Sequence, residues 1–402
     1  MNVAPDFPPL APARGKRLPV YLDNACMTFK PRAVLEAMNS YYEQHPSCHN
    51  RAQHALGRET TARIHEARRA IGAYLGAARP EEVVFTRNTT EAINLVARGL
   101  RLRAGDIVLT TDLEHNSNLL PWQFLARREG IRHQTLGIRP DEGTIDLEAY
   151  EAALRSGPVR LVSVFHSSHV TGITLPVAEM ARLAHRHGAR ILVDGAQALS
   201  HHPVDVRAWD ADFLAVSFHK AYGPTGMGAL YGKTEALSAL EPVWVGGETV
   251  LDADYDSCVL AEIPARFEAG LQDYAGILGA AAAVRYLREL DPKRVERHVV
   301  ELNSALADAI RGNPRIRILG TADPRGRGAI CNLLIDGLAA EELAVLLDRS
   351  HGIMVRSGVH CCHAWYRKNG LPPSLRISFA AYNSREDVAL VARALEDLTR
   401  YF

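Results

Sequence analysis

Two short apolar runs end in polar side chains that could together bind a cofactor. The run Ile191–Val193 is followed at once by Asp194, and a second run that begins at Ala215 leads to Ser217 and Lys220. A short apolar run that ends in an acid is typical of a buried parallel strand presenting a carboxylate at its carboxyl edge. The sequence therefore predicts a carboxylate and an amine at neighbouring strand ends.

Pyridoxal phosphate is the cofactor that this set of side chains suits. It needs a lysine for its covalent link and a carboxylate against its pyridinium nitrogen, and Lys220 and Asp194 would supply them. Gln197 would hydrogen-bond the ring hydroxyl, while Ser217 and His219 would hold the phosphate. The alternative is a buried strand-end acid beside an unrelated surface lysine, and the Ser-Phe-His sequence just before Lys220 argues against it.

Two neighbouring stretches indicate further ligand contacts. Residues 88–91 open a helix directly after a strand, where exposed amides and the helix dipole attract an anion. Thr89 and Thr90 are therefore predicted to bind the phosphate, with ordinary N-capping by threonine as the alternative. The glycine-rich residues 223–228 follow Lys220 and are expected to let the backbone approach a ligand closely.

The surrounding elements alternate between strand and helix. Apolar runs predict strands at 83–86, 107–110, 161–165 and 191–193, and helical patterns lie between them at 90–100, 120–128 and 177–187. This alternation predicts an α/β fold with a mainly parallel sheet flanked by helices. Ligands of such sheets bind beyond the carboxyl ends of the strands, where the candidate residues lie.

A change of pattern near residue 285 predicts a second, smaller α/β domain. We expect an extended, proline-rich N-terminal arm at 1–19, a large cofactor-binding domain at 20–285 and a small C-terminal domain at 286–402. The last helix is predicted to begin with a capping box in which Ser384 and Asp387 bond each other's backbone amides.

The composition excludes several classes of protein. The 402 residues contain 46 Lys plus Arg and 46 Asp plus Glu, so no basic excess indicates nucleic acid or an anionic membrane. No apolar run is long enough for a membrane span, and no secretion signal is recognisable. Six cysteines without a CxxC pair predict neither a disulfide framework nor a metal site. We expect a soluble cytoplasmic enzyme.

The two cofactor motifs also carry a family resemblance. Val193-Asp-Gly-Ala-Gln197 and Ser217-Phe-His-Lys-Ala-Tyr-Gly-Pro-Thr-Gly226 resemble the pyridoxal-phosphate-dependent cysteine desulfurases and selenocysteine lyases, the group II branch of the class V aminotransferase family. The resemblance extends from about Val20 to the C-terminus. It implies transferase fold type I, a homodimer with active sites at the subunit interface, and removal of sulfur from L-cysteine. The expected products are L-alanine and an enzyme persulfide, whose sulfur passes to an acceptor protein or small molecule.

The resemblance assigns three further roles. Cys361, in the segment Val355–Cys362, falls on the family's catalytic cysteine, and the cationic Arg356 would favour its thiolate. Arg376 matches the arginine that binds the substrate carboxylate with its guanidinium fork. His115 matches the histidine that stacks on the cofactor ring, where an imidazole could also move protons.

Two more residues are placed near the substrate by the resemblance. Asn24 follows a Tyr-Leu-Asp opening that family members have near the active site, and His54 follows a loop that lies over it. For His54, a solvated loop histidine is an equal alternative. Cys26 is expected to be a small buried residue, whereas Cys362 could be a spare thiol, a redox partner or simply packed.

Two departures from the family pattern keep other activities open. His169 stands where the family has an asparagine that touches cofactor and substrate, and Leu271 replaces a threonine that reaches the phosphate of the partner subunit's cofactor. The alternatives are a selenocysteine lyase, or a β C–S lyase or aminotransferase acting on a modified amino acid, which His169 favours. A non-enzymatic binding partner in a sulfur-transfer complex is a third, which the intact Lys220 and Cys361 disfavour.

Overall fold

The computed structural model describes residues 1–11, 19–139 and 144–401. Its strands are β1 (Val20–Tyr21), β2 (Val83–Thr86), β3 (Ile107–Thr111), β4 (Arg132–Leu136), β5 (Ile138–Arg139), β6 (Thr144–Ile145), β7 (Val159–Phe165), β8 (Arg190–Asp194), β9 (Phe213–Ser217), β10 (Gly228–Gly232), β11 (Val250–Ala253), β12 (Cys258–Leu260), β13 (Ile316–Leu319), β14 (Ile330–Ile335), β15 (Ile353–Met354), β16 (Arg356–Gly358) and β17 (Ser374–Ser378).

The helices lie between these strands and after them. They are α1 (Arg32–Gln44), α2 (Ala55–Leu75), α3 (Thr89–Gly99), α4 (Asn116–Glu129), α5 (Leu147–Leu154), α6 (Val177–Arg186), α7 (Thr234–Ser238), α8 (Tyr274–Leu290), α9 (Pro292–Ile310), α10 (Ala340–Leu346), α11 (His363–Lys368) and α12 (Arg385–Tyr401). The predicted capping box of α12 is confirmed, because Ser384 and Asp387 each accept a hydrogen bond from the other's backbone amide.

A seven-stranded sheet with the order β2-β10-β9-β8-β7-β3-β4 forms the centre of the molecule. The pairs from β9 through β8, β7 and β3 to β4 are parallel, whereas β10 runs antiparallel to both β9 and β2. The glycine-rich loop turns the chain back, so that Gly228 pairs with Ser217. The predicted mainly parallel sheet is confirmed.

Both faces of this sheet are covered by apolar packing. Neighbouring residues of a strand alternate between two hydrophobic cores: Val83 belongs to one and Val84 to the other, and Ile191 and Leu192 divide in the same way. A strand buried on both faces needs a continuous apolar run rather than an alternating one. This is why the runs in the sequence located these strands.

The C-terminal part has its own antiparallel sheet with the order β13-β14-β17-β16. Helices α9 and α12 pack against each other beside this sheet, with buried apolar side chains that include Val299 and Val391. The division of the chain at residue 285 stays a prediction, and α8 runs through that residue without interruption.

The N-terminal residues pack against the molecule instead of extending from it. Residues 4–6 and 8–10 form short 3-10 turns, and Phe7 between them is fully buried against Tyr222, Tyr286 and Tyr382. The predicted extended arm is therefore wrong for this stretch, because apolar burial holds it down. Residues 12–18 of the predicted arm lie outside the described residues. Strand β1 then pairs in parallel with β15 from the C-terminal part.

Two glycines of the glycine-rich loop allow close packing, while the predicted approach of the loop backbone to a ligand stays a prediction. A side-chain carbon at Gly228 would lie 2.6 Å from the Asn88 Cα, so this glycine lets β10 pass close to the start of α3. Gly223 faces Phe218 in the same way. Among the described residues, no helix has the length and apolar character that crossing a membrane requires.

Candidate active site

A cavity of about 470 Å³ opens at the carboxyl ends of β8 and β9 and is bounded on its far side by β16 and the loop that follows it. Most of the predicted site residues line it. These are Thr89, Thr90, His115, His169, Asp194, Gln197, Ser217, His219, Lys220, Cys361 and Arg376. Strand ends of a parallel sheet and a loop from the C-terminal part thus form one site.

Lys220 and Asp194 face each other across the sheet edge. Lys220 ends a single helical turn that follows β9, and Asp194 is the last residue of β8. Burial lowers the pKa of Lys220, although the charge of Asp194 opposes this shift. Burial raises the pKa of Asp194, against a hydrogen bond of 2.9 Å from the Ala196 amide to Oδ1. Among the described residues, no donor is paired with Oδ2.

Hydroxyl groups gather at the first turn of α3. The Thr89 amide donates to the Ser217 hydroxyl at 2.8 Å, and the two hydroxyls of these residues lie 2.7 Å apart. The Thr90 hydroxyl lies 2.7 Å from that of Ser117. Asn88 caps the helix by accepting from the Glu91 amide. Hydroxyl donors and the positive end of a helix dipole in one place make an anion-binding corner.

Two neighbouring groups border this corner. The Gln197 side chain donates to the Ala25 carbonyl at 2.8 Å, which fixes its amide at the cavity wall. Burial lowers the pKa of His219 to about 4, and Lys220 and Lys30 act in the same direction, so its imidazole is neutral near pH 7.

Two imidazole rings lie against each other above the sheet edge. The rings of His115 and His169 meet edge to face with centroids 4.9 Å apart. His115 also caps α4 by accepting from the Ser117 amide. Burial, with contributions from Lys220 and Arg376, lowers the pKa of His115 to about 3. His169 is buried as well, its pKa is lowered, and its Nε2 donates to the His360 carbonyl at 2.8 Å.

Cys361 is exposed and lies on a loop that lines the cavity. The backbone of His360 and Cys361 is left-handed, with φ of 49° and 56°, which non-glycine residues rarely adopt. The Asn116 amide donates to the Cys361 carbonyl at 2.8 Å and attaches the loop to α4. Cys362 points into the core and donates to the Glu114 carbonyl, and burial raises the pKa of its thiol. Of the three roles considered for Cys362, packing agrees with this position.

Arg376 reaches the cavity from β17. Its Nη1 donates to the His169 carbonyl at 3.0 Å, and its Nη2 lies 3.4 Å from Asp23 Oδ1. The residue is only 4% exposed, yet its Nε has no hydrogen-bond partner among the described residues. A buried guanidinium N–H without a partner is costly unless a ligand accepts its bond. The arrangement suits a carboxylate.

Two predicted substrate residues do not line the cavity. The Asn24 amide is buried and donates to the Ser378 carbonyl and to Asn383, so it joins β1 to the C-terminal part. His54 is exposed and caps α2 by accepting from the Gly57 amide. The structure therefore places these side chains away from this cavity, because both serve local backbone groups.

The sequence did not reveal the full lining. Cys26 was expected to be a small buried residue, which is wrong: it is half-buried, lines the cavity and accepts a hydrogen bond of 2.8 Å from Arg356 Nη2. This contact depends on the pairing of β1 with β15, which brings distant parts of the chain together. Ser117 was also missed, although its place after His115 at a helix start was a usable signal. Within the described residues, no group of His, Cys, Asp or Glu side chains is arranged to hold a metal ion.

Comparison with known proteins identifies the family. Residues 20–391 match the family described as Aminotransferase class-V. The chain belongs to this family. A probable cysteine desulfurase from Chlamydia muridarum is 40% identical over 404 residues, which cover 100% of this chain and 99% of that protein.

Solved structures agree with this assignment. The apo structure of a cysteine desulfurase from Thermococcus onnurineus NA1 superposes with a TM-score of 0.94 at 35% identity, covering 100% of this chain and 98% of the other. A cysteine desulfurase from Escherichia coli gives a TM-score of 0.90 at 32% identity, with 99% and 98% covered. The predicted family and the predicted fold class are confirmed.

The cavity of this class-V aminotransferase family member fits pyridoxal phosphate. The free Oδ2 of the buried Asp194 suits a cationic ring nitrogen, and the hydroxyls of Thr89 and Ser217 suit a phosphate. Lys220 supplies the amine between them. Each group is a donor or acceptor of the kind that this cofactor requires.

Proposed function

We propose that the protein is a pyridoxal-phosphate-dependent cysteine desulfurase that converts L-cysteine to L-alanine and leaves the sulfur as a persulfide on Cys361. The observation that carries this proposal is that Lys220 and Cys361 line one cavity. An amine and a thiol in these positions can act on the two ends of a single small amino acid. The full-length likeness to cysteine desulfurases supports the same activity.

Binding of the cofactor and substrate would use the charged groups of the cavity. Lys220 would hold the cofactor covalently, Asp194 would pair with its ring nitrogen, and the hydroxyls at the start of α3 would receive its phosphate. The unpaired Nε of Arg376 is available to the substrate carboxylate. When bound, pyridoxal phosphate withdraws electrons from the substrate α-carbon and so makes its proton removable.

Proton transfer at the substrate α-carbon is assigned to Lys220. An amine can accept this proton only in its neutral form, and burial lowers the Lys220 pKa so that this form is more populated near neutral pH. His115 is neutral as well and would lie flat against the cofactor, where it stabilises without adding charge.

Sulfur transfer is assigned to Cys361. Its thiolate attacks the substrate sulfur, and a sulfur–sulfur bond forms as the carbon–sulfur bond breaks. The carbon keeps the electron pair and takes up a proton, which yields alanine. Arg356 belongs to the strand just before the Cys361 loop and lines the same cavity, so its positive charge lies near the reacting sulfur.

The assembly and location of the protein belong to the same proposal. We infer a homodimer and a sulfur-accepting protein or small molecule as partners. Apolar side chains stand exposed on and before the β11–β12 hairpin, as a subunit contact would require: Trp244, Val245, Leu251, Tyr255 and Val259. All six cysteines are free thiols, which fits a reducing compartment such as the cytoplasm.

Single-turnover mixing with L-cysteine, without reductant, tests the proposed activity. We expect alanine release together with a mass gain of one sulfur atom or more, and the Cys361 peptide should carry added sulfur. Cys361→Ala should bind the cofactor but release no alanine by this route. Lys220→Ala should lose the absorbance of the lysine-bound cofactor and lower the rate by roughly 10²-fold or more.

The same variants separate the alternative activities. A selenocysteine lyase or β C–S lyase would keep turnover in Cys361→Ala, since it needs no sulfur acceptor on the enzyme. A shift of the cofactor spectrum with neither alanine nor added mass would contradict the desulfurase proposal. A protein that binds no cofactor would be a binding partner rather than an enzyme.

A further inference from the structure

A second thiol lines the same cavity as Cys361. Cys26 follows β1 and is half-buried, and its Sγ accepts a hydrogen bond of 2.8 Å from Arg356 Nη2. This contact places a cation against a sulfur atom that lines the cavity. Cys26 is therefore a second candidate nucleophile inside the site.

Arg356 connects the two thiols. It belongs to β16, and the loop that carries Cys361 follows directly after that strand. Its pKa is raised by charges that include those of Asp23, Cys26 and Cys361, in opposition to burial. Burial lowers the pKa of the Lys220 amine, and the charges of the same two sulfur atoms oppose this shift. One cationic environment thus surrounds both sulfur atoms.

The cavity around these thiols is built for an anionic ligand. Arg376 lines it, is 4% exposed and has an Nε without a partner among the described residues. By contrast, Cys362 is directed into the core beneath the loop and does not line the cavity. Among the described cysteines, only Cys26 and Cys361 line this cavity.

We propose that Cys26 is a second sulfur carrier, which accepts the sulfur from the Cys361 persulfide inside the cavity. This inference rests on the proposed desulfurase activity, because the persulfide is its donor. The Cys26 thiolate attacks the outer sulfur of that persulfide. A sulfur–sulfur bond forms at Cys26, the bond at Cys361 breaks, and Cys361 leaves as a thiolate while the proton of the persulfide stays with the transferred sulfur.

The transfer would return Cys361 to its sulfur-free form. It exchanges one persulfide for another, so it needs no oxidant or reductant. Cys361 is then free to take a second sulfur before any acceptor arrives, and each chain can hold two sulfur atoms. The more enclosed Cys26 would keep the first of them away from solvent, while Cys361 stays exposed for delivery.

Stoichiometry and position of the sulfur test this proposal. The cofactor-loaded enzyme is mixed with excess L-cysteine without reductant or acceptor, and alanine release is followed in time. The protein is then blocked with a thiol-alkylating reagent and mapped by peptide mass. We expect a rapid release of about two alanines per chain, with added sulfur on both the Cys26 and the Cys361 peptides.

Two matched serine variants identify the thiol responsible. Cys26→Ser keeps a hydroxyl that accepts from Arg356 but cannot carry sulfur, and it should stop after one alanine with sulfur on Cys361 alone. Cys258→Ser makes the same change on the exposed β12 strand and should behave as the wild type. Sulfur confined to the Cys361 peptide of the wild type, in one or several atoms, would refute the carrier role and leave the desulfurase activity intact. No alanine and no added sulfur would overturn both.

Discussion

Glu114 is a buried carboxyl group beside the active site that the protein keeps protonated. It is 2% exposed and accepts hydrogen bonds from the Thr111 hydroxyl, the Asn118 amide and the Phe165 backbone. Burial raises its pKa to about 8; the bonds from Thr111 and Asn118 oppose this shift, and the charge of Asp194 adds to it. Near pH 7 the neutral acid is therefore the main form.

This raised pKa makes stability depend on pH in a predictable direction. The unfolded side chain has a pKa of roughly 4.3, so between that value and about 8 unfolding releases a proton. The contribution is fully present below pH 4, and it is lost as the pH rises through this window. Glu114→Gln has no proton to lose, and its melting temperature should gain on the wild type as pH rises from about 5 to 8.

The control is Glu341→Gln, which makes the same change on the exposed side of α10. Its melting temperature should run parallel to that of the wild type over this range. Parallel curves for Glu114→Gln as well would show that Glu114 is ionised in the folded state.

At the scale of elements, a buried ion pair ties α2 to the sheet and to the segment before α8. Arg68 in α2 donates to both carboxylate oxygens of Glu268, at 2.7 and 2.8 Å, and also to the Val83 carbonyl. Glu268 accepts in addition from the Phe85 amide, whose ring lies under the guanidinium. Both charged residues are buried, so neither has water as a substitute partner.

Glu268→Gln should therefore be strongly destabilising. The amide preserves the shape but leaves the Arg68 charge buried without its counter-ion, and removing one partner of such a pair costs roughly 3–5 kcal/mol. Urea unfolding measures the loss. Glu59→Gln, which breaks the exposed pair with Arg63 on the same helix, should cost much less. Equal losses of unfolding free energy in the two variants would show that the buried pair stabilises the protein no more than the exposed pair does.

The burial of each element explains whether the sequence could predict it. β2 is buried along its full length, and its predicted bounds, 83–86, agree with the structure. β4 was missed because this edge strand carries Arg132, His133 and Gln134 and presents no apolar run. The antiparallel direction of β10 was not predictable from local pattern, since it depends on how the preceding loop turns.

At the scale of the whole molecule, aromatic packing attaches the N-terminal segment to two distant parts of the chain. Phe7 is fully buried, and its ring lies 5.6 Å from Tyr222, beside the cofactor motif, and 4.7 Å from Tyr382, near the start of α12. The Phe7 side chain thus forms a bridge between a residue beside the cofactor motif and a residue of the C-terminal part. The bridge has no polar component at Phe7, so its strength depends on apolar contact alone.

Phe7→Ala should lower the free energy of unfolding by roughly 3–5 kcal/mol, the usual cost of deleting a buried phenylalanine ring. Chemical denaturation of the purified protein measures this change. Phe7→Leu retains most of the apolar volume and should lose considerably less. A negligible loss in Phe7→Ala would mean that this segment does not stay packed in solution.

Some active-site residues can be predicted from the sequence around them, whereas others depend on contacts between distant parts of the chain. Asp194, Ser217 and Lys220 are predictable because each lies at or just after the end of a buried strand, and a parallel sheet gathers strand ends at one edge. Cys26 beside Arg356 is not, because the contact joins residues that are 330 positions apart. No periodicity or spacing in the sequence carries that information.

The pairing of β1 with β15 also sets the order in which the protein can be completed during synthesis. Val20 and Tyr21 leave the ribosome 333 residues before their partners, Ile353 and Met354. Until then the first strand has no edge to join, and Cys26 and Arg356 have not yet met. The nascent chain must therefore carry an unfinished catalytic centre while the residues between these partners are made, which keeps sulfur chemistry from starting during that interval.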